Sequence, residues 1–279
     1  MGKNINIIED WAQNIRKNII LLANGVGKKG VHIGSALSTV EILATIYASY
    51  LNYDVTDAES DKRDFFILSK GHAYLSLYCT LCKAGFFSEE ELTANFMTDG
   101  GFLPVHPVMN VKKGIEYSGG SLGMGVSFAV GKAYALNRQN RNNKVYTLLG
   151  DGECNEGSVW EAFMSASNLK LSNLTFIIDR NGFQQDGGTD ETLKIDLHKL
   201  IKDCGINVIE VDGHNIKELM DAFDCKFDNV RPKCIIANTV KGKGVSFMES
   251  NNYWHHSFMT KKQFAEASKE LNINSDGIE

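Results

Sequence analysis

No stretch of this chain is apolar over the length a membrane span requires, and the opening residues MGKNINIIEDWAQ lack the apolar core and small-residue cleavage site of a secretory leader. The Ser or Thr that a myristoylation motif needs after Met-Gly is absent too. Positive charge is not in excess: 29 Lys and Arg stand against 34 Asp and Glu, a net charge of −5. That balance excludes a nucleic-acid binder that works through bulk charge. Internal repeats and low-complexity linkers are missing, so nothing marks a domain boundary. A disulfide framework is missing as well. The six cysteines, Cys79, Cys82, Cys154, Cys204, Cys225 and Cys234, are scattered over 279 residues, and a chain of this size needs no covalent staples. Cys79 and Cys82 form a CxxC with no second pair, inside a helical pattern from Ala73 to Lys83, and read as core. The expectation is a cytoplasmic protein with reduced thiols that meets neither membrane nor nucleic acid.

What is present suits a packed fold: 43% of residues are hydrophobic and 23% charged. Ile7, Ile8, Trp11, Ile15, Ile19 and Leu22 recur at helical spacing. Ser38 to Tyr50 reads as a second helix, and Leu122 to Gln139 as another. Short apolar runs at residues 64–68, 145–149, 174–178, 207–211 and 233–238 read as buried strands between helical segments near 156–169, 192–203 and 215–222. Ser88-Glu89-Glu90-Glu91 is a capping box. His198 falls on the 192–203 segment and reads as a surface residue. Residues from Thr260 read as a polar helix, with a tail from about 265. Strands alternating with helices predict an α/β fold, a doubly wound parallel sheet with helices on both faces, forming one domain over residues 1–279.

The chain is organised around Gly150 to Gly187, GDGECNEGSVWEAFMSASNLKLSNLTFIIDRNGFQQDG. A strand stops at Gly150-Asp151-Gly152, where glycines let the backbone turn and approach a ligand closely. A helix follows, then a second strand closed by Asp179-Arg180-Asn181-Gly182. In a βαβ unit Asp151 and Asn181 emerge at the same sheet edge, the one where open α/β sheets bind ligands. A carboxylate, an amide oxygen and a nearby main-chain carbonyl are hard ligands that suit Mg²⁺ shared with phosphates. Alone, each turn would be only a turn; together, at this spacing, they form a motif.

That motif resembles the thiamine diphosphate-binding motif, and its wording is similar to the transketolase branch of that family, over about residues 10 to 262. The resemblance implies that Asp151 and Asn181, with the main-chain carbonyl of Phe183, hold a divalent cation, Mg²⁺ or else Ca²⁺ or Mn²⁺, which anchors the diphosphate. Gly150 and Gly152 flank the metal ligand. Glu156 matches an acidic residue that supports the cofactor site across the dimer. HIGSALS resembles the family's GHPG-type loop and places His32 at the substrate, with Ile33 for the usual Pro. FILSKGHAYLSLY resembles its LSkGHa segment, in which His72 reaches the phosphates. His106 matches a substrate-facing His. Ser118-Gly119-Gly120-Ser121-Leu122-Gly123-Met124-Gly125 matches a run whose glycine carbonyl, here Gly120, accepts from the aminopyrimidine, with Ser121 and Leu122 beside it. Gly119 for Thr and Met124 for Gln are departures from that run. DGHN and RPKCIIANTVKGKGVSFME, with basic Lys241 and Lys243, continue the likeness. Tyr253-Trp254-His255-His256 matches a WHG or WHH segment; His255 is assigned to the diphosphate, and His256, one place on, is the alternative.

The resemblance further implies the N-terminal, diphosphate-binding subunit of a split transketolase. The expected partner is a separate C-terminal subunit with the pyrimidine-binding domain, in an α2β2 assembly. The reaction would move a two-carbon ketol unit from a ketose or ketose phosphate to an aldose or aldose phosphate, as in pentose phosphate metabolism. His32, His106, His72 and His255 would be the catalytic histidines. Two alternatives stand beside it: a subunit of another split thiamine diphosphate enzyme such as a 2-oxoacid dehydrogenase, and a non-catalytic assembly subunit. The former shares GDG…N without the His32, His72 and His106 set.

Overall fold

The computed structural model describes residues 3–228 and 230–273. Helix α1 (Ile5–Gly25) opens at Asn4, whose side chain accepts the Asn6 N–H. Its stripe of Ile8, Trp11, Ile15, Ile19 and Leu22 is buried. The segment expected as one helix from Ser38 to Tyr50 is broken. Helix α2 (Ile33–Leu37) ends before Ser38, α3 (Val40–Thr45) starts after Thr39, and a π turn covers Ile46–Tyr50. The break is chemical: Ser38 and Thr39 turn their hydroxyls to the carbonyls of Ser35 and Ala36, at 3.1 and 2.9 Å.

Strand β1 (Phe65–Leu68) leads into α4 (Tyr74–Ala84), which buries both Cys79 and Cys82 as free thiols, and α5 (Glu89–Asn95) begins with the expected Ser88 capping box. Helix α6 (Met124–Arg138) precedes β2 (Val145–Gly150), then α7 (Gly157–Asn168) and β3 (Leu174–Arg180). Strand β3 runs two residues past its apolar core, so Asp179 is a strand residue paired with Gly150. A small antiparallel hairpin that the sequence reading missed, β4 (Phe183–Gln184) and β5 (Gly187–Gly188), follows Asn181. The 192–203 segment is split into α8 (Thr189–Thr192) and α9 (Leu197–Asp203), because Asp196 caps a new helix by accepting the Lys199 N–H. The chain closes with β6 (Asn207–Asp212), α10 (Ile216–Asp224), β7 (Lys233–Asn238) and α11 (Lys261–Glu270). Helix α11 outlasts the expected start of the tail near 265, because Ala267 and Ser268 are buried; residues 274–279 lie outside the described residues.

The main sheet has the order β1-β2-β3-β7-β6, all parallel. Side chains alternate across it as a two-sided sheet demands. Phe66, Leu68, Tyr146, Leu148, Ile177 and Ile235 pack into the core shared with α1, α3 and α4. Phe65, Ile67, Val145, Leu149, Phe176 and Ile236 pack on the other face with α6 and α7. Because every strand points the same way, the residues just past β1, β2, β3, β6 and β7 collect at one edge.

Candidate active site

At that carboxyl edge lies a cavity of about 340 Å³. Its lining includes His32, Lys70, His72, His106, Gly120, Leu122, Gly150, Asp151, Gly152, Glu156, Asn181, Phe183 and His255. The structure therefore brings together nearly every residue singled out from the sequence. Ser121 is exposed and is not part of the lining, and His256 flanks the cavity through its contact with His32. His198 lies elsewhere, half-exposed, 3.6 Å from Glu210.

One wall carries oxygen. Asp151 is buried, and its two carboxylate oxygens accept the N–H groups of Gly152 and Gly182 at 2.9 and 2.7 Å. Asn181 donates its amide to Asp179 Oδ2 at 3.0 Å and turns its Oδ1 to the Phe183 N–H at 3.0 Å. Each of these oxygens retains a lone pair. Burial, then repulsion from Asp179, pushes the Asp151 carboxyl up to about 6. A carboxylate desolvated in this way favours a cation, and a carboxylate with an amide oxygen is a hard donor set, so the residues fit a divalent ion. Among the described residues no group of three His, Cys, Asp or Glu side chains forms a metal cluster; the expected set of one carboxylate, one amide and one carbonyl is of a different kind.

The facing wall carries imidazoles and lysines. His32 is the hub, with ring centroids 5.4 Å from His255, 4.7 Å from His256, 5.8 Å from His72 and 6.0 Å from His106. Burial first, and then the neighbouring His256, His255, His106 and Lys241, lower His32 to about 3. Burial and Lys241 lower His255 to about 4, and burial with Lys70 takes His72 well below its ordinary value. Lys241 is brought down to about 8 by burial and Lys70, and its Nζ lies 3.0 Å from His255 Nδ1 and donates to Asn252 Oδ1 at 2.7 Å. Basic groups crowded until they resist protonation form a wall prepared for an anion.

Beneath the cavity runs a buried polar layer that the sequence reading missed. Lys70 and Asp179, both fully buried, form an ion pair. Asp179 also accepts from Ser38 at 2.7 Å and from Thr239. Burial pushes the Asp179 carboxyl up, but Lys70, Thr239 and Ser38 outweigh it and hold it below the usual range. Glu153 accepts from Ser69 at 2.5 Å, Gly123 N at 2.8 Å and Gly150 N at 3.1 Å, tying the ends of β1 and β2 to the start of α6. Main chains also meet directly: a Cβ on Gly71 would stand 2.8 Å from Gly120 N, and one on Gly125 would stand 2.7 Å from Ser69 Cα. Gly120 itself has φ of +146°, a conformation glycine tolerates.

Residues 12–277 match the family described as transketolase, thiamine diphosphate binding domain. The chain belongs to that family. It is 40% identical over 250 residues to an apulose-4-phosphate transketolase subunit from Actinobacillus succinogenes, covering 89% of this chain and 90% of that protein. It is 37% identical to a 6-deoxy-6-sulfo-D-fructose transketolase subunit from a Clostridium species, covering 95% of this chain and 96% of that one. Among solved structures, the transketolase from Leishmania mexicana superposes with a TM-score of 0.87 at 28% identity, over 95% of this chain but 41% of that chain. The cavity thus occupies the carboxyl edge of a transketolase-type thiamine diphosphate-binding domain, and no helix among the described residues is long and apolar enough to cross a membrane.

Proposed function

We propose that this chain is the N-terminal subunit of a two-subunit transketolase that moves a two-carbon ketol unit from a ketose or its phosphate to an aldose or its phosphate. The observation that carries this reading is the one cavity lined by Asp151, Asn181 and Phe183 together with His32, His72, His106, His255 and Lys70. Asp151, Asn181 and the Phe183 carbonyl hold the divalent cation, magnesium in first place, and the cation holds the diphosphate. His72 and His255 would hold the diphosphate, and Gly120 and Leu122 would flank the rest of the cofactor. Bound thiamine diphosphate supplies the nucleophilic carbon and the electron sink. His32 and His106 hold and move protons at the substrate oxygens. Burial and the neighbouring histidines keep His32 neutral at pH 7, and its Nδ1 is buried without a protein partner. Relatives named for apulose 4-phosphate and for a sulfo-fructose support an anionic sugar as substrate.

Relatives of similar length that are named as one subunit of a transketolase support a separate C-terminal partner; Glu156 and exposed Met124 and Phe128 of α6 would meet it in an α2β2 assembly. The test is a ketol-transfer assay on the purified chain with and without the C-terminal partner. Activity is expected only in the mixture; full turnover by the chain alone, at stoichiometric cofactor occupancy, overturns the two-subunit reading.

The histidines divide the work. His32→Ala and His106→Ala are expected to lower kcat by about 10²–10⁴-fold, as for lost proton transfer, with cofactor affinity retained. His72→Ala and His255→Ala are expected to raise the cofactor Kd instead. Titration calorimetry separates the two pairs, and equal cofactor affinity in all four variants refutes the division. A cofactor defect in His256→Ala but not in His255→Ala would move the assignment by one residue.

A further inference from the structure

Lys241 sits on a glycine-flanked turn after β7 that no helix or strand holds, yet it is 1% exposed. Two side chains from distant segments, joined by a third, grip the turn. His214, just past β6, accepts the Val240 N–H on Nε2 at 2.8 Å. A main-chain N–H can only donate, so the neutral ring carries its proton on Nδ1. That Nδ1 lies 2.9 Å from Oε2 of Glu41 on α3, and Glu41 is buried. The other oxygen of Glu41 accepts from Arg16 Nη2 at 2.5 Å, and Arg16 Nε donates to the Lys243 carbonyl at 3.1 Å. One carboxylate therefore anchors residue 240 through His214 and residue 243 through Arg16, with Lys241 between them. Between the anchors, Gly242 N–H donates to Gly34 O at 3.0 Å.

We propose that His214 is a positioning residue for Lys241: held as its Nδ1–H tautomer by Glu41, it fixes the Val240 main chain and so aims the Lys241 ammonium at Asn252 and at His255 on the cavity wall. His214 touches neither substrate nor cofactor in this role. The consequence for cofactor rests on the reading of the cavity as the diphosphate site; the consequence for Lys241 does not.

The geometry separates two substitutions. His214→Asn places an amide donor near Glu41 and leaves the Val240 N–H without an acceptor. His214→Gln reaches the Nε2 position with an oxygen and keeps that acceptor. The first readout needs no cofactor: trace acetylation of Lys241 by acetic anhydride, followed by peptide mass spectrometry and normalised to exposed Lys261 and Lys262. Lys241 is expected to react about tenfold faster in His214→Asn and to stay within about twofold of the parent in His214→Gln, in line with the cost of lost outer-shell support. The second readout is thiamine diphosphate affinity in magnesium with the partner subunit present. It is expected to fall about tenfold in His214→Asn and little in His214→Gln. Equal Lys241 reactivity in all three proteins, or an equal rise in both variants, overturns the proposal. A parent protein that binds no thiamine diphosphate would sink the cofactor reading, while the acetylation rates would still decide the role of His214.

Discussion

Replacing Asp151 with alanine is expected to abolish magnesium-dependent binding of thiamine diphosphate while the chain keeps its fold. Asp151 is 6% exposed, and burial with the neighbouring Asp179 pushes its carboxyl up to about 6. A divalent ion offsets that desolvation, so most of the charge on Asp151 is useful only when the ion is present. Outer-shell partners of bound metals already cost 10–100-fold in affinity, so loss of a direct ligand should cost more than about 100-fold. The fold loses less. Two N–H groups, of Gly152 and Gly182, lose a partner, which costs about 1–3 kcal/mol each if they stay dry, while an unfavourable buried charge disappears. Asn181→Ala should weaken cofactor binding in the same way. The pH dependence has a definite sign. Asp151 must be ionised to hold the ion, and with a carboxyl at about 6 it is mostly ionised at pH 7. Below pH 6 the proton competes, and cation affinity should fall about tenfold per pH unit. Calorimetry with the partner present, beside a melting curve of the chain, checks both halves. Normal magnesium and cofactor dependence in both variants would remove the metal assignment.

Asp179→Ala should act chiefly on stability, although it also releases the amide of Asn181 that Asp179 holds. It leaves Lys70, fully buried, without its counter-ion, and an uncompensated buried charge costs about 3–5 kcal/mol. For a chain of this size that is a drop in Tm on the order of 10 °C. The double variant Lys70→Met/Asp179→Asn removes both charges, keeps an acceptor for Ser38 and Asn181 on the amide oxygen and turns the amide NH2 to the Thr239 hydroxyl, which can accept, so it should recover most of the loss. Because Asp179 is held below the usual carboxylate range, its contribution is complete at neutral pH and is lost only as the pH falls through that depressed value. A Tm for Asp179→Ala within about 2 °C of the parent would show that the pair is not holding the cavity floor.

The contrast between these two aspartates marks what a sequence can show. Asp151 and Asn181 were legible because each ends an apolar run, and parallel strands must release such residues at one edge. Asp179, two positions before Asn181, looked like part of the turn. Its partner Lys70 is 109 positions away, and no local pattern announces a salt bridge between strand ends that are not adjacent in sequence. The same holds for His214 and Glu41, 173 positions apart, although DGHN did point to a strand end. Helix interruptions were missed for a local reason. Ser38-Thr39 has acceptable helical composition, and only the hydroxyl bonds made in the folded chain reveal that the backbone turns there. The hairpin after Asn181 pairs two residues with two, too few for alternation to register.

The walls of the cavity differ in how they are joined. Where Gly71 meets Gly120, main chain rests on main chain, and Gly125 abuts the Cα and side chain of Ser69. A joint of main chain on main chain has no rotamer to yield, so Gly71, beside His72, and the segment carrying Gly120 keep a fixed spacing. The hairpin at Phe183–Gly188 is tied differently, through the Asn155 amide to Gln184 at 3.1 Å and the Asn252 amide to the Gln185 carbonyl at 3.1 Å. Those ties swivel. A ligand slightly too large for the site is therefore expected to displace the turn at Gln184 and Gln185 before it displaces Gly71 or Gly120.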